Sequence, residues 1–369
     1  MPPTNTAAYL IAPKTPLEIR SAPYTSPKTN ELVIRNHAIA INPIDWLKVE
    51  LGNMLYSWLK NPCVLGIDVS GEVVEVGPNV TRFKPGDRVL GHAVGIEKSH
   101  NTSAGGAFQK YTVLLAHMTS VIPESLPYES AAVLPLGLST AACGLFQKDQ
   151  LALQLPTVPS AKPTGKTLLV WGGSTSVGSN AIQLAVAAGY EVFTTCSPRN
   201  FEYVKKLGAS QAFDYNSKTT IADLIQAFKG KTTAGAMSIG PGAAEACLDI
   251  LNGCQGDKFL SMASYPMPPT PPNSFVMLNT MTYFLPRMAN IFIKAKTRGI
   301  RIKFIWGASL MDNEVGPAMY DGFLPEALVK GRYVAAPEPR VVGKGLEFIQ
   351  VGLDTQRKGV SAKKIVVSL

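Results

Sequence analysis

From Thr167 onward the chain alternates short apolar runs with amphipathic stretches, and no other feature narrows its fold as far. "TLLVWG" (167–172), "EVFTTC" (191–196), "QAFDY" (211–215), "AGAMSIG" (234–240) and "KFLSM" (258–262) read as strands. Between them lie helices: "SNAIQLAVAAG" (179–189) closed by Gly189, a second capped by Asn200 and ended at Gly208, and "TTIADLIQAFKG" (219–230). This rhythm specifies an α/β, doubly wound parallel sheet.

The turn after the first strand, "WGGSTSVGSNAIQLA" (171–185), has glycines at Gly172, Gly173 and Gly178, with Thr175 where the middle glycine of G-x-G-x-x-G stands. Strand, tight turn and small-residue helix follow in the order that brings backbone amides against a pyrophosphate. Ser174, Thr175, Ser176 and Val177 complete the cradle, the three hydroxyls partly offsetting the missing glycine. A plain tight turn is the alternative. The next strand ends in "TTCSPRNF", with no carboxylate to hold the ribose hydroxyls of NAD. Ser197, Pro198, Arg199 and Asn200 stand where a 2′-phosphate would lie, and a guanidinium grips phosphate in bidentate fashion, so NADPH is expected over NADH. Asn200 reads equally as the cap of the next helix. Tyr215, after the third strand, borders the adenosine ribose or is a strand-end side chain.

The first third is different. "ELVIRNHAIAIN" (31–42), "VSGEVVEVGPNVTRFKPGDRVLGHA" (69–93) and "GAFQKYTVLL" (106–115) are short β-branched runs broken by turn clusters, as in a small antiparallel barrel. The tail "VVGKGLEFIQVGLDTQRKGVSAKKIVVSL" (341–369) supplies a helix and a last strand with no βαβ unit to join, and is expected to return to the barrel. The expected division is a barrel domain over 1–130, a cofactor domain over 131–320 and a return over 321–369. The Pro-rich "YPMPPTPPNS" (265–274) reads as a surface loop near the site mouth.

A chain of 369 residues has room for two cores. Its net charge of +9 is scattered, with no zinc-finger, basic-zipper or RNA-binding signature, and reads as solvated surface rather than a nucleic-acid site. One dense run, Arg287, Lys294, Lys296, Arg298, Arg301 and Lys303, reads as a solvated helix face or as a landing surface for an acidic carrier protein. Cys63, Cys143, Cys196, Cys247 and Cys254 form neither a disulfide framework nor a C-x-x-C pair. No signal peptide or membrane span is expected, and the reading is cytoplasmic.

"GIDVSGEVVEVG", "FKPGDRVLGH", "GGSTSVG", "LGA" and "SAKKIVV" together resemble the medium-chain dehydrogenase/reductase superfamily over nearly the whole chain. The resemblance implies a GroES-like barrel beside a Rossmann domain. Zinc-dependent members take a Cys after the third strand and a His-Glu pair after a glycine; here those stretches read "INPIDW" (41–46) and "LGIDVSG" (65–71), and 94–106 lacks cysteine. No metal is expected, since a zinc site needs several converging ligands. His37, His92, His100 and His117 stand apart and read as surface or core residues.

Within the superfamily, "NPIDW", "LPLGLSTAA", "CSPRNF", "FDY" and "GVSAKKIVV" resemble quinone oxidoreductases and fungal trans-acting enoyl reductases. That resemblance implies cofactor contacts at Asn42, Pro43, Ile44 and Asp45, at Ser174 to Val177, at Ser197 to Asn200, at Tyr215, and at Val360 and Ser361. It also places Leu134, Pro135, Leu136, Gly137, Leu138, Ser139, Thr140 and Ala141 against the substrate. Asp45 reads as an acceptor beside the nicotinamide ribose or as a helix cap. Tyr56 reads as a proton donor or a packing residue, and Ser139 or Thr140 as a donor to a substrate carbonyl or a helix-start residue. Ser238 stands where the family often has Asp.

The expected activity is NADPH-dependent, zinc-independent hydride transfer to an activated C=C bond or quinone, in a monomer or homodimer. A carrier-bound polyketide chain is the alternative substrate, and a non-catalytic NADPH-binding sensor the alternative class.

Overall fold

The computed structural model describes residues 3–52, 56–268 and 276–369. The chain divides into two compact units, 1–139 with 308–369, and 140–307. The sequence reading set the joints at 130 and 320. The helix Pro135–Phe146 runs through the first joint. The segment 308–320 belongs with the first unit, where His117 Nε2 lies 2.9 Å from the Met311 carbonyl.

The first unit contains a seven-stranded sheet in the order Glu338–Lys344, Lys363–Ser368, Glu31–Ala40, Asp68–Val76, Arg88–His92 and Thr119–Val121, with Tyr111–Leu115 also paired to Glu31–Ala40. All these pairings are antiparallel except the first. A smaller sheet joins Glu18–Ala22, Asn5–Leu10 and Cys63–Val64. The β-branched runs bury Ile34, Ile39, Val69, Val73, Val89, Ile365 and Val367 in one core; each such side chain contributes about 1.5–3 kcal/mol. The tail strand Lys363–Ser368 pairs with Glu31–Ala40, and the structure adds the strand Glu338–Lys344 beside it. The helical segment Ala318–Phe323 is wound as a π-helix and continues into Leu324–Val329.

The second unit is a parallel sheet in the order Gln211–Asp214, Glu191–Cys196, Lys166–Trp171, Thr232–Ser238, Phe259–Met262 and Arg301–Phe304, with Gln255–Gly256 also paired to Thr232–Ser238. Counted along the chain, the six principal strands lie 3-2-1-4-5-6, the Rossmann order, whose ligands bind beyond the carboxyl ends of the strands where the order reverses. That switch point falls between Lys166–Trp171 and Thr232–Ser238.

The dense basic run is not one face: Arg287, Lys294 and Lys296 lie on the helix Val276–Thr297, whereas Arg301 and Lys303 lie on a strand. The run also meets acids from elsewhere, with Lys294 and Arg298 both on Asp249 and Lys303 on Asp149. The Pro-rich segment falls partly outside the described residues. The stretch Tyr128–Phe146 has the length and apolarity of a membrane span, which the sequence alone does not lead one to expect; 78% of its most apolar 18-residue window is buried inside the protein, as in a core helix.

Candidate active site

In the first unit, the helix Pro43–Leu51 starts after Asn42, and proline suits its first position because no amide hydrogen is needed there. Asp45 lies one turn in and reaches back, its Oδ2 accepting the Asn42 backbone N–H at 2.8 Å. This is the acidic half of a capping box. The Asn42 side chain turns inward instead: Nδ2 donates to Asp68 Oδ2 at 2.9 Å, and Oδ1 accepts from Lys364 Nζ. Lys364 Nζ lies 2.8 Å from Asp68 Oδ2, and the Leu136 N–H donates to Asp68 Oδ1 at 2.6 Å. Asp68 is fully buried and Lys364 is 4% exposed. A buried ion pair persists when its remaining lone pairs are hydrogen-bonded, and both oxygens of Asp68 are.

Asp45 is also buried, and its Oδ1 has no hydrogen-bond partner. Burial pushes its carboxyl up to about 7; the bond from Asn42 opposes this and the Asp68 charge adds to it.

His92 stands opposite Asp68 in the strand pairing. Its Nδ1 is 2.8 Å from Ser139 Oγ, which is 2.7 Å from the Tyr320 hydroxyl, which donates to the Pro135 carbonyl at 3.0 Å. All three side chains are buried. Burial lowers the His92 imidazole to about 4 despite the nearby Asp68 charge.

The expected site residues of this segment and its neighbours have varied surroundings. Ser139, read as a donor to a substrate carbonyl, has its hydroxyl between His92 and Tyr320. Leu134, Pro135, Gly137, Leu138, Thr140 and Ala141 are buried, and Leu136 is half-buried. Tyr56 is 2% exposed and packs edge-on against Trp58. Its loop is held by Lys48, a buried ammonium donating to the carbonyls of Gly52, Tyr56 and Leu59 at 3.2, 3.2 and 3.3 Å. Ile44 and Val360 pack on the barrel core, while Pro43 and Ser361 are exposed. His92 and Tyr320 were not anticipated as a pair, and no spacing signal links them. Asp68 and Lys364 stand within the motifs "GIDVSG" and "SAKKIVV", but nothing in either motif pairs them.

In the second unit, Thr175 caps the helix Ser176–Ala187: its Oγ1 accepts from Gly178 N at 3.0 Å and donates to the Gly172 carbonyl at 2.8 Å. Gly172 has φ +92°, a region that favours glycine. A Cβ on Gly178 would lie 2.2 Å from the Gly172 carbonyl oxygen. Backbone cannot yield there, so Gly178→Ala is expected to cost about 1–3 kcal/mol. Urea denaturation checks this, and an unchanged midpoint would mean that the turn has room to spare.

At the end of Glu191–Cys196, Ser197 Oγ donates to the Tyr215 hydroxyl at 3.2 Å, and Tyr215 and Arg199 are exposed. The neighbouring Asp214 carboxylate is taken up by the Asn216 backbone and side chain. Asn200 precedes the helix Phe201–Lys206, but its side chain makes no cap bond. At the switch point Ser238 Oγ is buried without a partner.

Two groups implied by the resemblance can be tested against these residues. Zinc does not fit: Asp68 has both oxygens engaged, Ile67 beside it is apolar, and among the described residues no three His, Cys, Asp or Glu side chains group to hold a metal ion. A dinucleotide fits: the helix Ser176–Ala187 starts just beyond the carboxyl end of Lys166–Trp171, beside the switch point, and Ser238 offers an unmatched hydroxyl there. A surface groove of about 720 Å³ lined by residues including Arg35, His37, Tyr111 and Leu346 contains none of these groups.

Residues 28–124 match the alcohol dehydrogenase GroES-like domain family. The chain is 57% identical to "Dehydrogenase pigH" of Monascus ruber over 368 residues, covering all of both chains. It is 37% identical to "Trans-enoyl reductase himH" of Aspergillus japonicus, covering 92% of this chain and 90% of that one. Its fold matches a quinone oxidoreductase from Coxiella burnetii with a TM-score of 0.68 at 21% identity, covering 99% of each. A GroES-like sheet domain, a Rossmann sheet in 3-2-1-4-5-6 order and relatives matched end to end identify the chain as a member of the medium-chain dehydrogenase/reductase superfamily of oxidoreductases.

Proposed function

We propose that this chain is an NADPH-dependent reductase that delivers hydride to an activated C=C bond of an enone, quinone or enoyl thioester without a zinc ion. The observation that carries the reading is Asp68. The carboxylate in the stretch corresponding to the zinc-ligand region is committed to Lys364, Asn42 and the Leu136 amide, so the chemistry is one that needs no Lewis acid. Conjugate reduction meets that requirement, and a relative 37% identical carries the name trans-enoyl reductase.

Bound NADPH would supply the hydride. The Ser176 and Val177 amides, in the first helical turn, are available to the pyrophosphate, because Gly178 N is already taken by Thr175. Ser197, Arg199 and Tyr215 take the 2′-phosphate. Of the 134–141 segment, Thr140 is the hydroxyl left for a substrate carbonyl, since Ser139 is engaged on both sides. The pairing of Lys294, Arg298 and Lys303 with acids weakens the case for a carrier landing surface and favours free small-molecule substrates.

A second reading, a nicotinamide-binding sensor without turnover, is favoured by the burial of Tyr56 and the engagement of Ser139, which leave neither placed to deliver a proton. NADPH oxidation measured against a panel of enones, quinones and enoyl thioesters separates the two. Turnover supports the reductase; tight NADPH binding with no oxidation across the panel supports the sensor. For cofactor choice, Arg199→Ala should raise the Kd for NADPH about 10-fold or more, the loss of a charge-assisted hydrogen bond, and leave NADH within about twofold. Equal weakening of both, measured by fluorescence titration, would remove Arg199 from the phosphate site.

A further inference from the structure

The buried chain His92–Ser139–Tyr320–Pro135 has a direction that proton counting fixes. A carbonyl only accepts, so the single phenolic proton of Tyr320 lies on the bond to the Pro135 carbonyl at 3.0 Å. Tyr320 must then accept from Ser139 at 2.7 Å, which uses the single proton of Ser139. Ser139 in turn must accept from His92 at 2.8 Å, and only an Nδ1–H can provide that bond. The count assigns the imidazole tautomer, which geometry at one nitrogen alone would leave open.

We infer that Tyr320 is a positioning residue which, through Ser139, holds His92 with its proton on Nδ1 and leaves Nε2 as the unprotonated nitrogen with a fixed lone pair. The chain is buried throughout, so water does not compete for its bonds and the orientation is not averaged among rotamers. Burial also keeps the imidazole neutral at physiological pH, as an acceptor requires. The partners come from sites far apart in sequence, 47 residues between His92 and Ser139 and 181 between Ser139 and Tyr320, so the fold and not local geometry sets the direction.

The tautomer is read directly by long-range proton–nitrogen correlation on the nitrogen-15-labelled full chain. It has four histidines, and His92→Asn assigns the one that matters. The expected result is an Nδ1 at the protonated shift and an Nε2 at the unprotonated shift. Tyr320→Phe lets Ser139 turn its proton toward Nδ1, and the Nε2–H tautomer should then appear; Ser139→Ala removes the same link should the first variant fold poorly. An Nε2–H tautomer or an imidazolium in the wild type at neutral pH overturns the inference, as does an unchanged spectrum in a folded Tyr320→Phe.

Discussion

Lys364→Met is expected to cost about 3–5 kcal/mol of folding stability, because it leaves the Asp68 carboxylate buried without its counter-charge. Asp68 is fully buried, and the Asn42 and Leu136 N–H groups that remain are neutral donors. Exchanging Asp68 for Asn in the same background should recover much of the loss, since the amide oxygen still accepts a hydrogen bond and no charge is left stranded. Urea denaturation of wild type, single and double variants measures both steps. A single variant within about 1 kcal/mol of wild type would show that the pair does not behave as a buried ion pair.

The second large effect is a pH dependence at Asp45. Unfolded, an aspartate titrates near 4, whereas burial raises Asp45 to about 7 in the fold. Between these values the unfolded chain has lost its proton and the folded chain still holds it, so stability falls as pH rises. The contribution is complete below about pH 4 and gone above about pH 7; at 1.36 kcal/mol per unit it is on the order of 4 kcal/mol. His92 acts with the opposite sign. Its folded value of about 4 lies below the ordinary 6.5, so the unfolded chain binds the extra proton and stability rises with pH over that interval. The two slopes oppose each other in the wild type. Asp45→Asn removes the falling one, so its stability relative to wild type should climb from pH 4 to 7 and then level off. Denaturation midpoints at a series of pH values test this, and parallel curves for the two proteins would rule it out.

How far the sequence carried depends on the range over which each feature is written. The alternation after Thr167 and the glycine turn are local, each strand, turn and helix being encoded within about ten residues, and they were legible. The Asp68–Lys364–Asn42 cluster was not: Lys364 and Asn42 lie 322 residues apart and meet through the pairing of the tail strand with Glu31–Ala40. Asp45 was legible as a helix-start residue but not as a buried carboxyl with one oxygen unmatched, because that depends on which neighbours fail to reach it. The basic run looked unpaired because Asp249 and Asp149 lie outside it. Ser139 drew notice through its motif, yet its neighbours His92 and Tyr320 come from a strand end and an aperiodic stretch, and nothing in their spacing announces the contact.

The π-wound segment at Ala318–Phe323 puts Tyr320 where a change in chain count, more than a change in residue type, decides what it touches. A π turn holds one more residue than an α turn. A one-residue deletion just before Tyr320 that tightened this coil to ordinary α pitch would be absorbed there, keeping the helix beyond in register while moving the phenol off its bonds to Ser139 and Pro135 and leaving every side chain chemically intact. Sequences that differ here by a single gap therefore differ in wiring even where their aligned letters agree.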